Sequence, residues 1–580
     1  MGTISDKLMR IINTKEDIRQ ALISKGYDVP TSIPFKEYAK MISDLPCRVD
    51  SFPDIEGIVA RYSALGLTNE QMAANPVWVD KTGNGHDIQL KNFSWKGMSG
   101  VGGYEMNFNL WRNNVSSIPD ISMSTTTTSV SVSVGNSTYN NNLIYIHISN
   151  WDINKNHWLK VTSTYEDGDL AFIFYNDSNT KKIGLPANGY VNILAYPEFK
   201  GSYMYISTIS NKQGSFTIEQ LPLYPGALVF DGVDDYGVCD NFPILTKEKG
   251  YTVVALRQWD QDFLNTTLTG GLLSTRNYST GEGIAFEKIE SSNKGYWNLG
   301  AGGIIDFAKS PFTWQTSKQY NNVGILKGDK NHGKPLCVGC GLSGGQQCGR
   351  FAIWELVFLD HDATEEELTK IKDYFVKTYP WLFPDQAWTV VGKTNEDEDR
   401  ATIANITGNG NDLVLSNFGF IEGSGYNKEG EYAGYLVTDG VDDKITSSIF
   451  EMGNDWTVIG DWKLINTGKN DNAGIVKFDS IVIYNYNPIL INIKNGRNNL
   501  IPDQNTVNAI CSDGRIYSKD WKESIYNEET ESTSKNFLTI GYSGNSYTKI
   551  AFKNLAIYPT VLSKEDCIKA YNYLQTLKAK

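Results

Sequence analysis

Three acidic residues recur in the same short pattern at two places in the chain. They are Asp231, Asp234 and Asp235 in LVFDGVDDYGV, and Asp439, Asp442 and Asp443 in LVTDGVDDKI. Calcium is bound in proteins by six to eight oxygen ligands, many of them from carboxylates. A calcium site at each segment is therefore one interpretation of the pattern, and the sequence indicates no other cofactor.

The same segments also contain the residues of a tight corner between two strands. In both copies an apolar strand runs into Asp-Gly and then into a second strand. Glycine adopts positive φ angles, and aspartate side chains bind nearby backbone amides. Tyr236 follows the acids in the first copy and Lys444 follows them in the second. We favour the structural corner over the calcium site.

Aromatic residues in loops rich in Gly, Asn and Ser are candidates for carbohydrate binding. Sugar recognition combines an exposed aromatic face with neighbouring polar groups. The candidates are Trp95, Trp111, Arg112 and Tyr426. For each of them, packing in a core or between domains is the competing role. Four other tryptophans stand at strand positions and are predicted to be core residues: Trp259, Trp354, Trp456 and Trp462.

Residues that could catalyse hydrolysis are not arranged in a recognisable pattern. A glycosidase needs two carboxylates about 5–9 Å apart across a sugar-sized cleft. In FEKIE, Glu287 and Glu290 are three residues apart, which places them on opposite faces of a strand. The five histidines are scattered, and no G-x-S-x-G motif stands between a strand and a helix. We therefore expect that the protein is not an enzyme, and a polysaccharide depolymerase remains an alternative.

The cysteines argue against a disulfide framework, because there are only seven and the number is odd. Cys337, Cys340 and Cys348 lie close together in CVGCGLSGGQQC. Three thiols could bind zinc, but no fourth ligand is obvious. The alternating CVGC before a Gly-rich turn also predicts a hairpin in which cysteine is a small core residue. We favour this second interpretation.

The overall charge and hydrophobicity limit the partners. The net charge is -13, and no Lys/Arg-rich block reverses it locally, so we expect no binding to nucleic acid. No apolar run reaches 18 residues, so we expect no membrane span. The first twenty residues carry charges throughout, which is unlike a signal peptide, and we expect synthesis in a cytosol.

Internal repetition organises the chain. TGNGHDIQLKNF at 82–93 matches TGNGNDLVLSNF at 407–418, a separation of 325 residues. The two DGVDD segments are 208 residues apart, and a third pair, from Glu355 and Asn554, is 199 apart. The first copy therefore contains an insertion, which we place at roughly Gly103–Pro225. TTSVSVSV within it alternates with the period of a strand.

These patterns predict a mainly β protein with two jelly-roll sandwiches, the first interrupted by a small inserted β-sandwich. Each repeat ends in a helix with a capping pattern, Thr364 with Glu367 and Ser563 with Asp566. A short helical segment comes first and is too small to be stable alone. The predicted domains are a helical docking segment 1–48, a first sandwich 55–102 plus 226–383, an inserted sandwich 103–225 and a second sandwich 385–580.

The two repeats resemble a known family of sandwich domains. The TGNG strand, LVFDGVDDY, a strand ending in Trp, and FAIWELVFLDHDATEEEL with its helix are similar to concanavalin A-like, laminin G type jelly-roll domains. The resemblance covers Ile55–Tyr379 without the insertion, and Trp388–Lys578. It implies a lectin-like fold.

The N-terminal TKEDIRQALISKGYDVPTSIPFKEYAKMI and the insertion's GSFTIEQLPLYPGALVFDG are similar to segments of bacteriophage structural proteins. This resemblance implies a virion protein, assembled in the host cytoplasm, that contacts other virion proteins through residues 1–48. We expect a tail or baseplate fibre or appendage whose lectin-like domains attach to host-surface glycan. A capsid-decorating head fibre is the alternative. We also expect a homo-oligomer, taken as a trimer because receptor-binding fibres commonly are, although no heptad pattern supports that number.

Overall fold

The computed structural model describes residues 52–579 apart from a set of gaps. These gaps are 105–107, 114–120, 136–141, 148–156, 176–179, 194–202, 209–212, 244, 246–248, 276–283, 289–293, 298–303, 307–310, 317–334, 343–345, 430–431, 466–473, 479–480, 485–488, 494–496, 502–506, 519–520, 526–537 and 544–545. The predicted helical segment 1–48 lies outside the described residues.

The first sandwich begins with short elements before the insertion. They are β1 (Ile58–Ser63), α1 (Asn69–Ala74), β2 (Val77–Trp78), β3 (Ile88–Lys91) and β4 (Gly100–Val101). Thr68 caps α1, because its side chain accepts a hydrogen bond from the Gln71 amide.

The inserted sandwich follows directly. It contains a 3-10 turn (Phe108–Leu110) and β5 (Arg112–Asn113), β6 (Ile121–Thr125), β7 (Ser129–Val134), β8 (Asn142–His147), β9 (His157–Ser163), β10 (Leu170–Tyr175), β11 (Thr180–Gly184), β12 (Asn188–Ile193), β13 (Tyr203–Thr208) and β14 (Gly214–Gln220). They form two five-stranded sheets, β11-β10-β13-β8-β5 and β12-β9-β14-β7-β6. The predicted alternation in SVSVSV is confirmed, because the three valines of β7 are buried.

The chain then returns to the first sandwich. Its remaining elements are β15 (Leu228–Asp231), β16 (Tyr236–Cys239), β17 (Thr252–Trp259), α2 (Gln261–Leu264), β18 (Gly270–Ser274), β19 (Ala285–Lys288), β20 (Lys294–Trp297), β21 (Ile304–Asp306), β22 (Phe312–Thr316), β23 (Leu336–Val338), β24 (Cys340–Leu342), β25 (Gln346–Cys348), β26 (Arg350–Leu359) and α3 (Glu365–Thr378). One sheet has the order β22-β17-β26-β15-β4, with β1 also on β26. The other runs β2-β3-β16-β23-β18-β19-β20-β21 and includes β24 and β25.

The second sandwich repeats this plan after a 3-10 turn at Pro380–Leu382. Its elements are β27 (Gln386–Thr389), β28 (Thr402–Ile403), β29 (Leu413–Ser416), β30 (Gly425–Tyr426), β31 (Leu436–Val437), β32 (Lys444–Ser447), β33 (Thr457–Leu464), β34 (Gly474–Phe478), β35 (Ile481–Tyr484), β36 (Ile489–Ile493), β37 (Arg497–Ile501), β38 (Val507–Cys511), β39 (Arg515–Ser518), β40 (Glu523–Ile525), β41 (Thr539–Ile540), β42 (Tyr542–Ser543), β43 (Ser546–Tyr547), β44 (Ile550–Tyr558) and α4 (Lys564–Gln575).

Strand pairing in the two repeats matches closely. β26 pairs with β1, β15 and β17, and β44 pairs with β27, β31 and β33. The pairing of β17 with β26 shifts register between Leu256 and Arg257, and that of β33 with β44 shifts between Asp461 and Trp462. Such bulges re-aim a strand at a defined point. The prediction of a mainly β fold with repeated sandwiches is confirmed, while the exact domain boundaries remain a prediction.

Each sandwich has its own apolar core, formed between its two sheets. The four tryptophans predicted to be core residues are buried, with at most 2% of their surface exposed, although Trp456 lies one residue before β33: Trp259, Trp354, Trp456 and Trp462. The capping box at Thr364 is also confirmed, since the Glu367 amide donates to Thr364 Oγ1 at 3.3 Å and the Thr364 amide donates to Glu367 Oε2 at 2.8 Å. None of the helices among these residues has the length and apolar character needed to cross a membrane.

A buried ion pair fixes the helix α3 on the first sandwich. Arg61 Nε donates to Glu355 Oε2 at 3.2 Å, and Arg61 also donates to the hydroxyl of Tyr374 at 3.0 Å. The Tyr379 hydroxyl donates to Glu355 Oε1 at 2.8 Å. Buried charges of this kind persist when both are paired and hydrogen-bonded. The second repeat has Asn554 where the first has Glu355.

Replacing Glu355 by Ala should destabilise the first sandwich by about 3–5 kcal/mol, because Arg61 would keep its charge in the core without the carboxylate that balances it. Chemical denaturation followed by tryptophan fluorescence measures the loss. Glu366→Ala is the control, because the Glu366–Lys370 pair is exposed and its loss should change stability very little. Equal effects of the two substitutions would contradict this account.

Candidate functional site

The acidic corner of the first repeat joins β15 to β16 and is held by its own carboxylates. Asp231 Oδ1 accepts hydrogen bonds from the amides of Val233 at 2.7 Å and Asp234 at 3.4 Å. Asp235 Oδ2 accepts from the Asp231 amide at 3.0 Å, and its Oδ1 accepts from the Ser99 hydroxyl at 2.9 Å. These are the side chain to backbone bonds of a tight turn.

The second repeat builds the same corner between β31 and β32. Asp439 Oδ1 accepts from the Val441 amide at 2.7 Å, and Asp443 Oδ2 accepts from the Asp439 amide at 2.8 Å. Asn417 donates from its side chain to the Asp442 carbonyl at 3.0 Å, as Asn92 does to Asp234 at 3.1 Å in the first repeat. The bonds within the turn and the asparagine contact are therefore duplicated, whereas the Ser99 bond has no counterpart at Asp443 Oδ1, which is buried without a hydrogen-bond partner among the described residues.

Glycine is required at the second position of this corner. Gly232 and Gly440 have φ angles of 76° and 77°. A Cβ atom on Gly232 would lie 2.7 Å from the Cβ of Arg350, so a side chain would clash as well as strain the backbone. The valine that follows is left in solvent in both copies: Val233 is 75% exposed and Val441 is 71% exposed.

The corners also bring carboxylates close enough to share a cation. In each corner, one oxygen from each of the three aspartates lies within 4.8 Å of the others. Only Asp235 and Asp443 are buried, and the oxygens described above already accept bonds within the turn. Three carboxylates fit part of a calcium shell of six to eight oxygens. The hydrogen bonds account for the pattern as architecture, and calcium binding stays a prediction.

Burial changes the acidity of the innermost carboxyl group in each corner. It raises the pKa of Asp235 to about 7, with a further contribution from the charge of Asp231. It likewise raises the pKa of Asp443 to about 6. Each corner therefore releases a proton near neutral pH, which an exposed aspartate does not do.

Two of the four predicted sugar-binding residues are buried. Trp111 is 1% exposed and packs in the inserted sandwich, with its ring 6.1 Å from that of Phe108 and 6.5 Å from that of Phe172. Tyr426 is 3% exposed, and its hydroxyl donates to the Arg400 carbonyl at 2.8 Å. Neither ring presents a face to solvent.

The other two predicted residues keep exposed surface but lie in different parts of the fold. Trp95 is half-buried and stacks on Phe93 at 4.8 Å, against the core of the first sandwich. Arg112 is exposed in the inserted sandwich, and its Nη1 donates to the carbonyls of Asn109 at 2.8 Å and Trp111 at 3.1 Å. The four predicted residues therefore do not form one cluster.

A better aromatic candidate lies on the hairpin β42–β43 of the second sandwich. Tyr542 and Tyr547 face each other across this hairpin, with ring centroids 5.0 Å apart, and both are partly exposed. The Nζ atom of Lys444 lies 5.8 Å from the Tyr542 ring. Lys444 and Thr446 flank the core residue Ile445 on β32, so they lie on the face away from the core.

A row of polar residues crosses the same face. Thr446 pairs with Thr539 on β41, and Thr539 pairs in turn with Lys477 on β34. The Thr539 hydroxyl donates to the Tyr542 carbonyl at 3.0 Å, which ties the hairpin to the sheet. We call Lys444, Thr446, Lys477, Tyr542 and Tyr547 the tyrosine face.

The first repeat has cysteines at the matching hairpin. Cys340 and Cys348 face each other there, Cys337 packs beside them, and all three are buried. Among the described residues, three metal-ligand atoms come within 4.8 Å of one another only in the acidic corners, and not among these thiols. The thiols thus pack as small core residues, as favoured from the sequence.

The tyrosine face was missed because no local motif marks it. The signal was the alignment of two hairpins: VGC before the turn and CGR after it match IGY and YTK in the second repeat. Gly339 and Gly541 occupy the same place, with φ angles of 85° and 76°. The two hairpins have turns of different length, which hides the correspondence in the sequence.

Solved structures similar to this chain resemble it weakly. No protein-family model and no curated protein matches the chain. The Trypanosoma rangeli sialidase in complex with sialic acid is 8% identical, over 83% of this chain and 98% of that chain, with a TM-score of 0.25. The binding domain of botulinum neurotoxin serotype D is 11% identical over 59% and 89%, with a TM-score of 0.23. The receptor binding domain of type G is 12% identical over 32% of this chain and 50% of that chain, with a TM-score of 0.20.

The comparison contradicts one expectation from the sequence. We expected that the chain is not an enzyme, yet sialidases, which are enzymes, stand among the similar structures. TM-scores of 0.25 are too low to transfer a sialidase site to this chain.

The raised pKa values predict how the corners affect stability as the pH changes. The ordinary pKa of both groups is 3.8 and the folded values are about 7 and about 6, so their stabilising contribution is complete below the ordinary value and is lost as the pH rises through the folded values. Asp235→Asn with Asp443→Asn removes this loss, since an amide does not titrate. The Tm of the double variant relative to the wild type should therefore increase from pH 4 to pH 7.

A difference in Tm between the double variant and the wild type that stays constant from pH 4 to pH 7 would contradict the raised pKa values of Asp235 and Asp443. The same measurement with added calcium tests the metal interpretation, with Asp234→Asn plus Asp442→Asn as the second variant. Calcium bound by the corners would raise the Tm of the wild type more than that of this variant. A purely structural corner predicts equal effects.

Proposed function

We propose that this chain binds host-surface glycan through the tyrosine face of its second sandwich. The observation that carries the proposal is the facing pair Tyr542 and Tyr547, partly exposed beside Lys444 on the sheet face away from the core. The matching position of the first repeat carries buried thiols instead, so the fold itself does not require tyrosines there.

The chemistry of the tyrosine face suits a sugar. Tyrosine rings offer apolar faces that pack against the C–H groups of a pyranose, and their hydroxyls bind its oxygens. Lys444, Thr446 and Lys477 add donors around the rings. Such a shallow arrangement of an aromatic platform with convergent polar groups is typical of carbohydrate recognition.

The proposed setting is the virion of a bacteriophage, where the chain forms a tail or baseplate fibre or appendage as a homo-oligomer. The support is the resemblance of the N-terminal segment and of the insertion's last strand to phage structural proteins. In this arrangement residues 1–48 bind other virion proteins, and the sandwiches face the host. Assembly takes place in the host cytoplasm.

Removing both rings should weaken glycan binding by about tenfold or more, because a central aromatic contact commonly contributes over 1.4 kcal/mol. Wild type and Tyr542→Ala with Tyr547→Ala are compared on an array of bacterial surface glycans, followed by titration of the best binder. The same samples are analysed for released sugars, which detects hydrolysis.

One matched control and one further test variant accompany this experiment. Tyr175→Ala removes another exposed aromatic ring, which is 49% exposed in the inserted sandwich, and should leave binding unchanged. Lys444→Tyr installs the residue that the first repeat has at this position and should weaken binding by removing the cation. Unchanged binding in the double tyrosine variant, with loss in Trp95→Ala or Arg112→Ala, would refute the assignment of the tyrosine face.

Deleting residues 1–45 should abolish incorporation of the chain into particles while the sandwiches remain folded. Incorporation is measured by immunoblotting purified particles, and folding is measured by the Tm of the isolated protein. Imaging of the particle then separates the locations: density at the tail or baseplate supports attachment, whereas density on the capsid favours a head fibre. A deleted chain that still enters particles would refute docking through this segment.

A further inference from the structure

The hairpin β24–β25 of the first sandwich places two thiols opposite each other. Cys340 is the backbone partner of Cys348 in an antiparallel pair, and Leu342 is the partner of Gln346. The Gly349 amide donates to the Gly339 carbonyl at 2.9 Å, while the Gly339 amide donates to the Leu272 carbonyl, so one ladder bond joins the two residues that flank the cysteine pair. In an antiparallel ladder, pairs of facing residues that carry the hydrogen bonds alternate with pairs that do not. Because the flanking residues carry the bond, Cys340 and Cys348 form a non-hydrogen-bonded pair.

The Cα atoms of a non-hydrogen-bonded pair are separated by a distance that a disulfide can bridge. Facing residues in a non-hydrogen-bonded pair have Cα atoms about 4.5 Å apart, with their side chains on the same face. Disulfides join residues whose Cα atoms are about 4.4–6.8 Å apart. A bond between these two sulfurs therefore needs no movement of the strands.

The surroundings of the pair isolate it from most of the solvent. Cys340 is fully buried and Cys348 is 7% exposed, with Tyr236 and Val238 packed against them. Cys348 lies at the rim near the acidic corner, and burial together with the charges of Asp231 and Asp234 raises the pKa of its thiol to about 11. Its thiolate is scarce at neutral pH, so thiol exchange there is slow in a reducing cytosol.

We propose that Cys340 and Cys348 form a cross-strand disulfide when the protein meets an oxidising medium. The oxidant is a low-molecular-weight disulfide such as oxidised glutathione. One thiolate attacks it, forms a mixed disulfide and releases one glutathione thiolate; the second cysteine then attacks the mixed disulfide and releases the other. Two cysteine thiols lose two electrons and two protons, and one glutathione disulfide becomes two glutathione thiols.

The bond locks the same hairpin that the second repeat holds by another means. There the facing residues are Tyr542 and Tyr547, whose tilted rings lie in contact across the hairpin with centroids 5.0 Å apart. They lie next to the equivalent amide-to-carbonyl bond from Thr548 to Gly541 at 2.9 Å. The two repeats thus use the same pair of positions for a covalent and a non-covalent contact. The inference does not depend on glycan binding.

Another pair of thiols provides an internal control. Cys511 on β38 and Cys567 on α4 lie close enough to shift each other's pKa but belong to different kinds of element. They are therefore not opposite each other on two paired strands, as Cys340 and Cys348 are. Cys337 is a competitor within the cluster, because it could join Cys340 instead.

The test uses the full chain, reduced and then incubated with oxidised glutathione at pH 8.5, both in the native state and during refolding from urea. Intact mass spectrometry should show the loss of two hydrogens, with two of the seven thiols no longer alkylated. Peptide mapping without reduction should recover a linked pair containing Cys340 and Cys348. Cys348→Ser should abolish this product, and Cys567→Ser should leave it unchanged.

The proposal is overturned if no linked Cys340–Cys348 peptide forms in either incubation. It is also overturned if the recovered link joins Cys337 to Cys340, or if Cys348→Ser leaves the two-hydrogen loss in place. The Tm of each reduced variant confirms that the sandwiches are folded. Refolding exposes all thiols to glutathione, so poor access in the native state cannot explain a negative result.

Discussion

The pairing of one long central strand with three neighbours determines the layout of each repeat. β26 in the first sandwich and β44 in the second are each bonded to the first strand of the repeat, to the strand that leads into the acidic corner and to the bulged strand. Nearly every residue of these two strands is buried. A change that broke this ladder would displace the corner, the sheet below it and the closing helix together.

The acidic corner follows from this constraint. β15 and β31 must reverse within a few residues to cross to the other sheet, and the corner's aspartates satisfy backbone amides that the reversal leaves without a strand partner. The cost is a carboxyl group buried deeply enough to titrate near neutral pH in each repeat. At the hairpins β24–β25 and β42–β43 the repeats diverge into thiols and tyrosines.

The sequence predicts the fold well because repeated patterns carry independent information. Two copies of TGNG, DGVDD and the capped final helix located the repeats, and alternation in SVSVSV identified the inserted sandwich.

The site was harder to predict. Trp111 and Tyr426 stand in polar, Gly-rich stretches, yet neighbours distant in sequence cover them: Phe172 packs on Trp111, and the Arg400 carbonyl accepts the Tyr426 hydroxyl. The tyrosine face joins residues from β32, β34 and the β42–β43 hairpin, so register, and not spacing along the chain, brings them together.

The most direct test is a crystal structure of the full chain with the best-binding oligosaccharide from the array. The account predicts ligand density over the rings of Tyr542 and Tyr547, with a sugar oxygen within hydrogen-bonding distance of Lys444. Density that contacts the inserted sandwich or Trp95, with none at the tyrosine face, would contradict it.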